Sequence, residues 1–327
     1  MSSGELPKRL AITGLGTFVG GRVAERLLER EPEIEVIALG LHLPHRLEGR
    51  VRLHRVDLTE PAADSVLAEI LEKERCDALL HAAFRQTPTR DVEGSHELEL
   101  IGSLHVMNAT AAASGMRKLV VASSAQVYGA YPDNPNFLCE DHRLRAHPDS
   151  HSMRDRAEME GLLWLFAERH PQLVVTSLRP CWVAGPTFDD RVVRHFSGRT
   201  VTTLLGYDPL MQFLHEEDLL RAVELALRRD APGPLNLAGD GALPLSTLLR
   251  LAGKRSLPLP HPLLYRIDFL NSLRRTGDAP QAFYDYLRFL WVVDTSRARD
   301  LLGFQPEYTT KEAWMSFIVS RRLRRYR

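Results

Sequence analysis

The chain has 327 residues, 42 basic and 42 acidic side chains, 44% hydrophobic and 26% charged residues. That length allows about two domains and a full core without a disulfide or metal staple, and the composition excludes a disordered chain. A formal net charge of zero excludes a general nucleic-acid binder, which needs a basic excess. Cys76, Cys139 and Cys181 are far apart and odd in number. They give neither a disulfide framework nor a cysteine zinc site, and a cytoplasmic protein is expected. The histidines are scattered without ligand spacing, so no metal is expected. No apolar run approaches the roughly 20 residues of a membrane helix, so no membrane span is expected. The N-terminal stretch has no apolar signal region.

Along the chain, Leu10–Thr13 reads as a buried strand, followed by a glycine-rich turn and a helix over Val19–Glu29. Strands follow at Glu35–Leu39 and Val51–Val56, then a helix at Ala62–Glu72 and a strand at Ala78–Leu80. A long helix over Ser95–Ala113 leads to a strand at Lys118–Ala122. A helix over Arg156–Arg169 leads to a strand at Leu173–Leu178. Strands alternating with helices of this length predict βαβ units and a doubly wound parallel sheet, the Rossmann-type α/β architecture. After Pro180 proline and glycine become frequent, with helices expected at Glu216–Arg228, Pro262–Arg274 and Thr310–Arg322. The division expected is a dinucleotide-binding domain over 1–180, with returning segments near 211–239. A smaller substrate-binding domain would take 181–210 and 240–327.

The segment Thr13-Gly14-Leu15-Gly16-Thr17-Phe18-Val19-Gly20 lies where a strand-to-helix turn cradles phosphate. It fits neither glycine template in full. GxGxxG needs glycine at Val19, and GxxGxxG has Thr17 in the middle. Thr17 adds a Cβ where a pyrophosphate approaches, and its hydroxyl is a candidate phosphate donor. A carboxylate for the ribose is expected at the end of the second strand. That place holds Gly40, then His42, His45 and Arg46. Either these form a solvated loop or they face a 2′-phosphate, which tilts the cofactor from NAD toward NADP.

These pieces, with others in order, resemble an extended short-chain dehydrogenase/reductase of the NAD-dependent epimerase/dehydratase type. The likeness spans about residues 8 to 320 of the sequence. Asp57-Leu58 stands where the family meets adenine, and His81-Ala82-Ala83 ends the fourth strand against the cofactor. Gly102-Ser103 sits in the long helix. Val120 to Gly129 is the serine strand, carrying Ser124. Leu178 to Pro186 follows with Pro180 and Val183, which the resemblance places at the cofactor. Gln212 to Asp218, Asn236-Leu237-Ala238 and Asp294 to Pro306 complete the series. The resemblance implies a bound NAD or NADP, a small-molecule substrate and a homodimer through the long helix and the helix after Ser152.

The family's proton transfer uses a serine or threonine and a tyrosine four residues before a lysine. Ser124 matches the serine. The pattern sets Ser152 at the tyrosine and Arg156 at the lysine. No tyrosine lies between Tyr131 and Tyr207, and no lysine between Lys118 and Lys254, so no register restores the pair. Arg156 can hold a nicotinamide ribose, but its guanidinium does not act as a tunable base. His151, with an ordinary pKa near about 6.5, is the candidate substitute, against its reading as an exposed helix-entry residue. The arginine that often holds a sugar nucleotide's diphosphate is replaced by Met211, with Arg191 and Arg288 as possible compensation. His215 and Asp218 read as structural. The expectation is a dinucleotide-binding protein without the standard redox chemistry, a sensor, scaffold or partner subunit. The alternative is an active epimerase, dehydratase or reductase using Ser124 with His151. The arginine-rich terminus, Arg321 to Arg327, reads as a solvated helix end.

Overall fold

A computed structural model describes residues 4–85, 91–266 and 280–324. Its first half runs β1 (Arg9–Thr13), α1 (Phe18–Arg30), β2 (Glu35–Leu39), β3 (Arg52–His54), α2 (Ala63–Lys73) and β4 (Ala78–His81). Then come α3 (Val92–His96), a π-helical turn (Glu97–Ile101), α4 (Gly102–Ala112), β5 (Lys118–Ala122), α5 (His151–Arg169) and β6 (Val174–Pro180). Beyond these lie β7 (Trp182–Ala184), α6 (Arg191–His195), β8 (Thr200–Leu204), β9 (Leu210–Met211), β10 (Phe213–His215), α7 (Glu216–Arg228) and β11 (Gly233–Leu237). The last part holds β12 (Leu243–Pro244), α8 (Leu245–Leu251), β13 (Arg255–Leu259) and helices Pro280–Asp285, Ser296–Leu302 and Thr310–Arg324.

Seven strands form one sheet in the order β11-β6-β5-β4-β1-β2-β3, every pair parallel. The strands are apolar on both sides because helices cover both faces. Leu10 and Ile12 pack with Val23 and Leu27 of α1 and Leu219 and Val223 of α7. Ala11 faces the other way, among Leu67 and Leu71 of α2, Met107 of α4 and Leu163 of α5. The strand order reverses between β1 and β4, which opens a crevice at their C-terminal ends.

A second layer of elements stands over that crevice. β7 pairs with β10, β8 with β13, and β9 with β12. Trp182 of β7 stacks on Phe283 at 5.7 Å and meets the edge of Trp291 at 5.1 Å. Trp314 is buried with its indole N–H donating to the Leu248 carbonyl at 2.9 Å. Together these rings tie the β7–β10 ribbon to the C-terminal helices.

A buried polar network pins β5, α5, β6 and β11 together. The Arg179 guanidinium holds Glu160 (Nε to Oε2, 2.8 Å) and donates to the Tyr128 hydroxyl at 2.7 Å. Tyr128 donates to Asn236 Oδ1 at 2.9 Å, and Ser123 donates to Glu160. Burial pushes the Tyr128 phenol up to about 12, so this tyrosine is a structural donor. His215 and Asp218 are likewise internal: His215 stacks on Tyr308 at 3.8 Å, and Asp218 accepts the Glu307 amide at 2.8 Å.

Several elements differ from expectation. The third strand keeps only Arg52–His54, and the long helix is broken by the π turn. α5 begins five residues early, at His151, with Ser150 as its N-cap residue and no side-chain cap bond. Helices Arg191–His195, Leu245–Leu251, Pro280–Asp285 and Ser296–Leu302 were not anticipated; all are short. Of the helix expected at Pro262–Arg274, residues 261–266 are helical and 267–274 lie outside the described residues. Near the terminus, Arg321 reaches Asp189 at 2.9 Å and Arg322 the Ala252 carbonyl at 2.6 Å; residues 325–327 lie outside the described residues. Among the described residues no helix is long and apolar enough to cross a membrane.

The Glu160–Arg179 pair makes a stability prediction. Glu160→Gln leaves a buried guanidinium uncompensated and should cost about 3–5 kcal/mol in urea unfolding. A loss under about 1 kcal/mol would show that the network does not hold these strands together.

Candidate functional site

The glycine turn is shaped by two different demands. Gly14 has φ 74°, and a Cβ there would sit 2.4 Å from the Ala82 carbonyl. A Cβ on Gly20 would sit 2.4 Å from the Gly14 oxygen. Packing within the chain therefore requires both. Gly16 is different: a Cβ there meets nothing within 4 Å and its φ is ordinary. The open space above Gly16 is where a ligand's close approach would be felt. Thr17 caps α1, accepting from the Gly20 amide at 3.1 Å and donating to the Gly14 carbonyl at 2.8 Å. Its hydroxyl thus completes the turn itself instead of standing ready for phosphate. The amides of Phe18 and Val19 open the helix, where donors lack intrahelical partners.

Beside the turn, a recess is bounded by Gly16, Thr17, Phe18, Arg22, Glu25 and Arg46. Glu25 pairs with Arg22 at 3.0 Å and with Arg46 at 3.2 Å. His45 pairs with Glu48 at 2.7 Å, and His42 is exposed. Gly40 leaves β2 with φ 151° and open space beside it. Asp57 accepts the Thr59 amide and hydroxyl at 3.0 and 2.7 Å, so one of its oxygens closes its own turn. Leu58 is buried against Gly102, where a Cβ would come 3.0 Å from it.

The main cavity begins at Thr17 and Val19 and runs past Ala82, Ser124, Ser152, Arg156, Pro180 and Val183. Its far wall is apolar, with Trp182, Phe188, Phe283 and Tyr286. Ser124 starts a short turn, accepting the Gln126 amide at 3.2 Å. Tyr286 donates to the Gln126 carbonyl at 2.7 Å, and burial pushes its phenol upward, so it is held as a donor. Asp190 caps α6 through the Val193 amide at 2.8 Å; burial pushes its carboxyl up to about 6. His151 is outside the cavity wall, at the first turn of α5, with Nδ1 2.5 Å from Arg154.

His81 and Ala83 are buried, and neither lines the cavity. The Ala82 amide donates to Thr13 Oγ1, Thr13 to His81 Nδ1 at 2.7 Å, His81 Nε2 to Ser103 at 2.9 Å, and Ser103 to the Glu99 carbonyl at 2.5 Å. Each donor in this order fixes the next, so His81 is neutral with its proton on Nε2. Burial pushes its pKa down to about 3.

The chain of bonds ends at a residue sequence reading passed over. Glu99 lies in the π turn, fully buried. Its carboxylate accepts the Arg85 amide at 3.0 Å and the Ser152 hydroxyl at 3.4 Å, and lies 3.4 Å from Arg156 Nη2. Arg156 lies over the Phe84 ring at 4.6 Å, with Nε and Nη2 buried and lacking hydrogen-bond partners. Desolvation raises the Glu99 pKa, opposed first by Arg156. An acidic residue in a helix carries no sign in sequence that a widened turn will bury it.

A Rossmann-type sheet with a crevice at its switch point, roofed by a smaller C-terminal region, defines the class of protein. The model of the NAD dependent epimerase/dehydratase family matches residues 10–238, and the chain belongs to that family. An uncharacterized protein of Mycobacterium tuberculosis is 30% identical over 325 residues, covering 98% of this chain and 85% of that protein. A trifunctional UDP-glucose 4,6-dehydratase/UDP-4-keto-6-deoxy-D-glucose 3,5-epimerase/UDP-4-keto-L-rhamnose-reductase of Arabidopsis thaliana is 22% identical, covering 69% of this chain and 36% of that protein. The fold is also that of a Thermotoga maritima UDP-glucose 4-epimerase with UDP-glucose: TM-score 0.71, 19% identity, 97% of this chain and 99% of the other. A Thermus thermophilus UDP-glucose 4-epimerase complex with NAD gives 0.70, 21%, 96% and 99%.

His81 makes a pH prediction. Unfolded, its imidazole takes a proton below about 6.5; folded, it resists down to about 3. The unfolded state then binds more protons, so stability falls as pH drops from about 6.5 toward 3, by up to about 1.4 kcal/mol per pH unit. His81→Gln should flatten the slope of unfolding free energy between about pH 4 and 6. An unchanged slope would contradict the neutral, buried ring.

Proposed function

We propose that the chain binds a nicotinamide dinucleotide from the glycine turn into the main cavity, and does not run the family's tyrosine–lysine redox cycle. The observation that carries this reading is the cavity wall itself. Where a phenol and an amine would stand, it holds Ser152 and Arg156, and the tyrosine that lines it, Tyr286, donates to a backbone carbonyl. The turn fits the group. Gly16 leaves the approach open, and α1 presents its first-turn amides and positive dipole end to a pyrophosphate. The bound group supplies hydride exchange at its nicotinamide ring. Around it, Ser124 offers a hydroxyl, Arg156 holds a polar group against Phe84, and Trp182 and Phe283 exclude water from the far side. A sensing, scaffolding or partner-subunit role follows, with a homodimer through α4 and α5 as the assembly.

The structure argues for NAD over the NADP favoured on residue type alone. Glu25 engages both Arg22 and Arg46, so neither guanidinium stands wholly free for a 2′-phosphate, and its carboxylate is an acceptor for a 2′-hydroxyl. NAD should bind at least about tenfold more tightly than NADP, and Glu25→Ala should narrow or reverse that ratio. Equal affinities in the unaltered protein would contradict this choice.

The alternative role for His151 is disfavoured by its place outside the cavity wall. The test is the absorbance of bound dinucleotide on incubation with UDP-glucose, the ligand named for the Thermotoga enzyme. No reduction is expected over hours. Turnover abolished by Ser124→Ala would overturn the non-redox reading.

A further inference from the structure

Glu99 is a buried carboxylate with no part in the cofactor reading above, and its surroundings are incomplete. It is buried by the π turn, a feature often found at functional sites. Its neighbour Ser152 lines the cavity, while Glu99 itself does not. The charge facing it is Arg156 from α5, whose Nε and Nη2 have no hydrogen-bond partner. Also nearby are Asp155 of α5, paired with His96 of α3 at 3.0 Å, and Arg85, whose backbone amide binds Glu99. His81 stays neutral on the far side of Ser103. Buried polar atoms left unpaired are costly and call for a partner.

We propose that Glu99 is the proton-exchanging group of this cavity and acts on a ligand through Ser152. When Glu99 is ionised, the Ser152 hydrogen points to Glu99 Oε2, and Ser152 offers lone pairs to a ligand hydroxyl. When Glu99 is protonated at Oε2, that O–H donates to Ser152, and the Ser152 hydrogen turns to a ligand carbonyl. One O–H bond forms on Glu99, its proton taken from solvent, and Ser152 keeps one hydrogen throughout. The pair therefore serves a ligand that occurs as an alcohol or a ketone. Ser152 stands at the position of the family's tyrosine, so the relay occupies the place of the missing pair with different chemistry. Burial already raises the Glu99 pKa. A dinucleotide that closes the cavity and draws the Arg156 N–H groups to itself removes the main support of the ionised form. Binding then draws a proton onto Glu99.

This inference rests on the dinucleotide reading, and two measurements separate them. In the unliganded protein, carboxyl-carbon NMR should show Glu99 titrating above the ordinary glutamate value of about 4.3. Ser152→Ala should raise it further, because the ionised form loses a donor. Glu99 titrating with the ordinary carboxylates, or unmoved by Ser152→Ala, would overturn the proposal. In the second measurement, calorimetry of NAD binding in buffers of different ionisation enthalpy should show uptake approaching one proton near neutral pH. Affinity should then weaken by up to about tenfold per pH unit as pH rises, and Glu99→Gln should remove the dependence. Asp190 is the carboxylate that itself lines the cavity. Uptake that survives Glu99→Gln and disappears in Asp190→Asn would overturn the assignment. If NAD does not bind at millimolar concentration, the dinucleotide reading falls, and the unliganded titration still decides the role of Glu99.

Discussion

The cavity is organised by one directed chain of hydrogen bonds, from the Ala82 amide through Thr13, His81 and Ser103 to the π turn at Glu99. It ties β1 and β4, the two strands at the switch point, to the helix that covers them. Because every donor in it is spoken for, His81 has one tautomer and no charge. The π turn at its end delivers a carboxylate to the back of the cavity wall. Ser152 and Arg156 of α5 then meet that carboxylate from the opposite side. The site is thus set by the packing of α4 against α5 as much as by the glycine turn.

Much of the fold was legible because burial on both faces leaves a plain mark. Leu10–Thr13, Glu35–Leu39 and Lys118–Ala122 are short apolar runs, and each is a central strand. α7 was legible to the residue, since acidic Glu216, Glu217 and Asp218 open it and Arg228 closes it. The start of α5 was not, because its first residues, His151, Ser152, Arg154 and Asp155, are polar and show no apolar helical spacing. The π turn was hidden because nothing in the residue types of Glu97 to Ile101 marks a widened turn. Trp182 meets Phe283, Trp291 and Phe213 from distant segments, and no local pattern carries such a cluster.

The site was legible in outline. Motif order pointed to Ser124, Ser152, Arg156, Pro180 and Val183, and these share one cavity wall. It also pointed to His81, whose ring is spent inside the fold, and to Thr17, whose hydroxyl completes its own turn. Glu25, Glu99 and Asp190 were missed because their meaning depends on tertiary neighbours: two arginines, a serine with an arginine, and a cavity. The family's architecture is kept, while Ser152 and Arg156 stand on this wall. A serine cannot lower its own pKa as a phenol beside an amine does. What this wall can do is present a hydroxyl whose direction is set by a buried acid.

The most direct measurement is equilibrium titration of the purified chain with NAD and NADH, beside a Gly16→Val variant. A Cβ on Gly16 meets no protein atom within 4 Å, so the variant should keep its unfolding temperature. The unaltered chain should bind in the micromolar range, and the added side chain should weaken binding at least about tenfold. No binding at millimolar dinucleotide, or binding indifferent to the substitution, would contradict it.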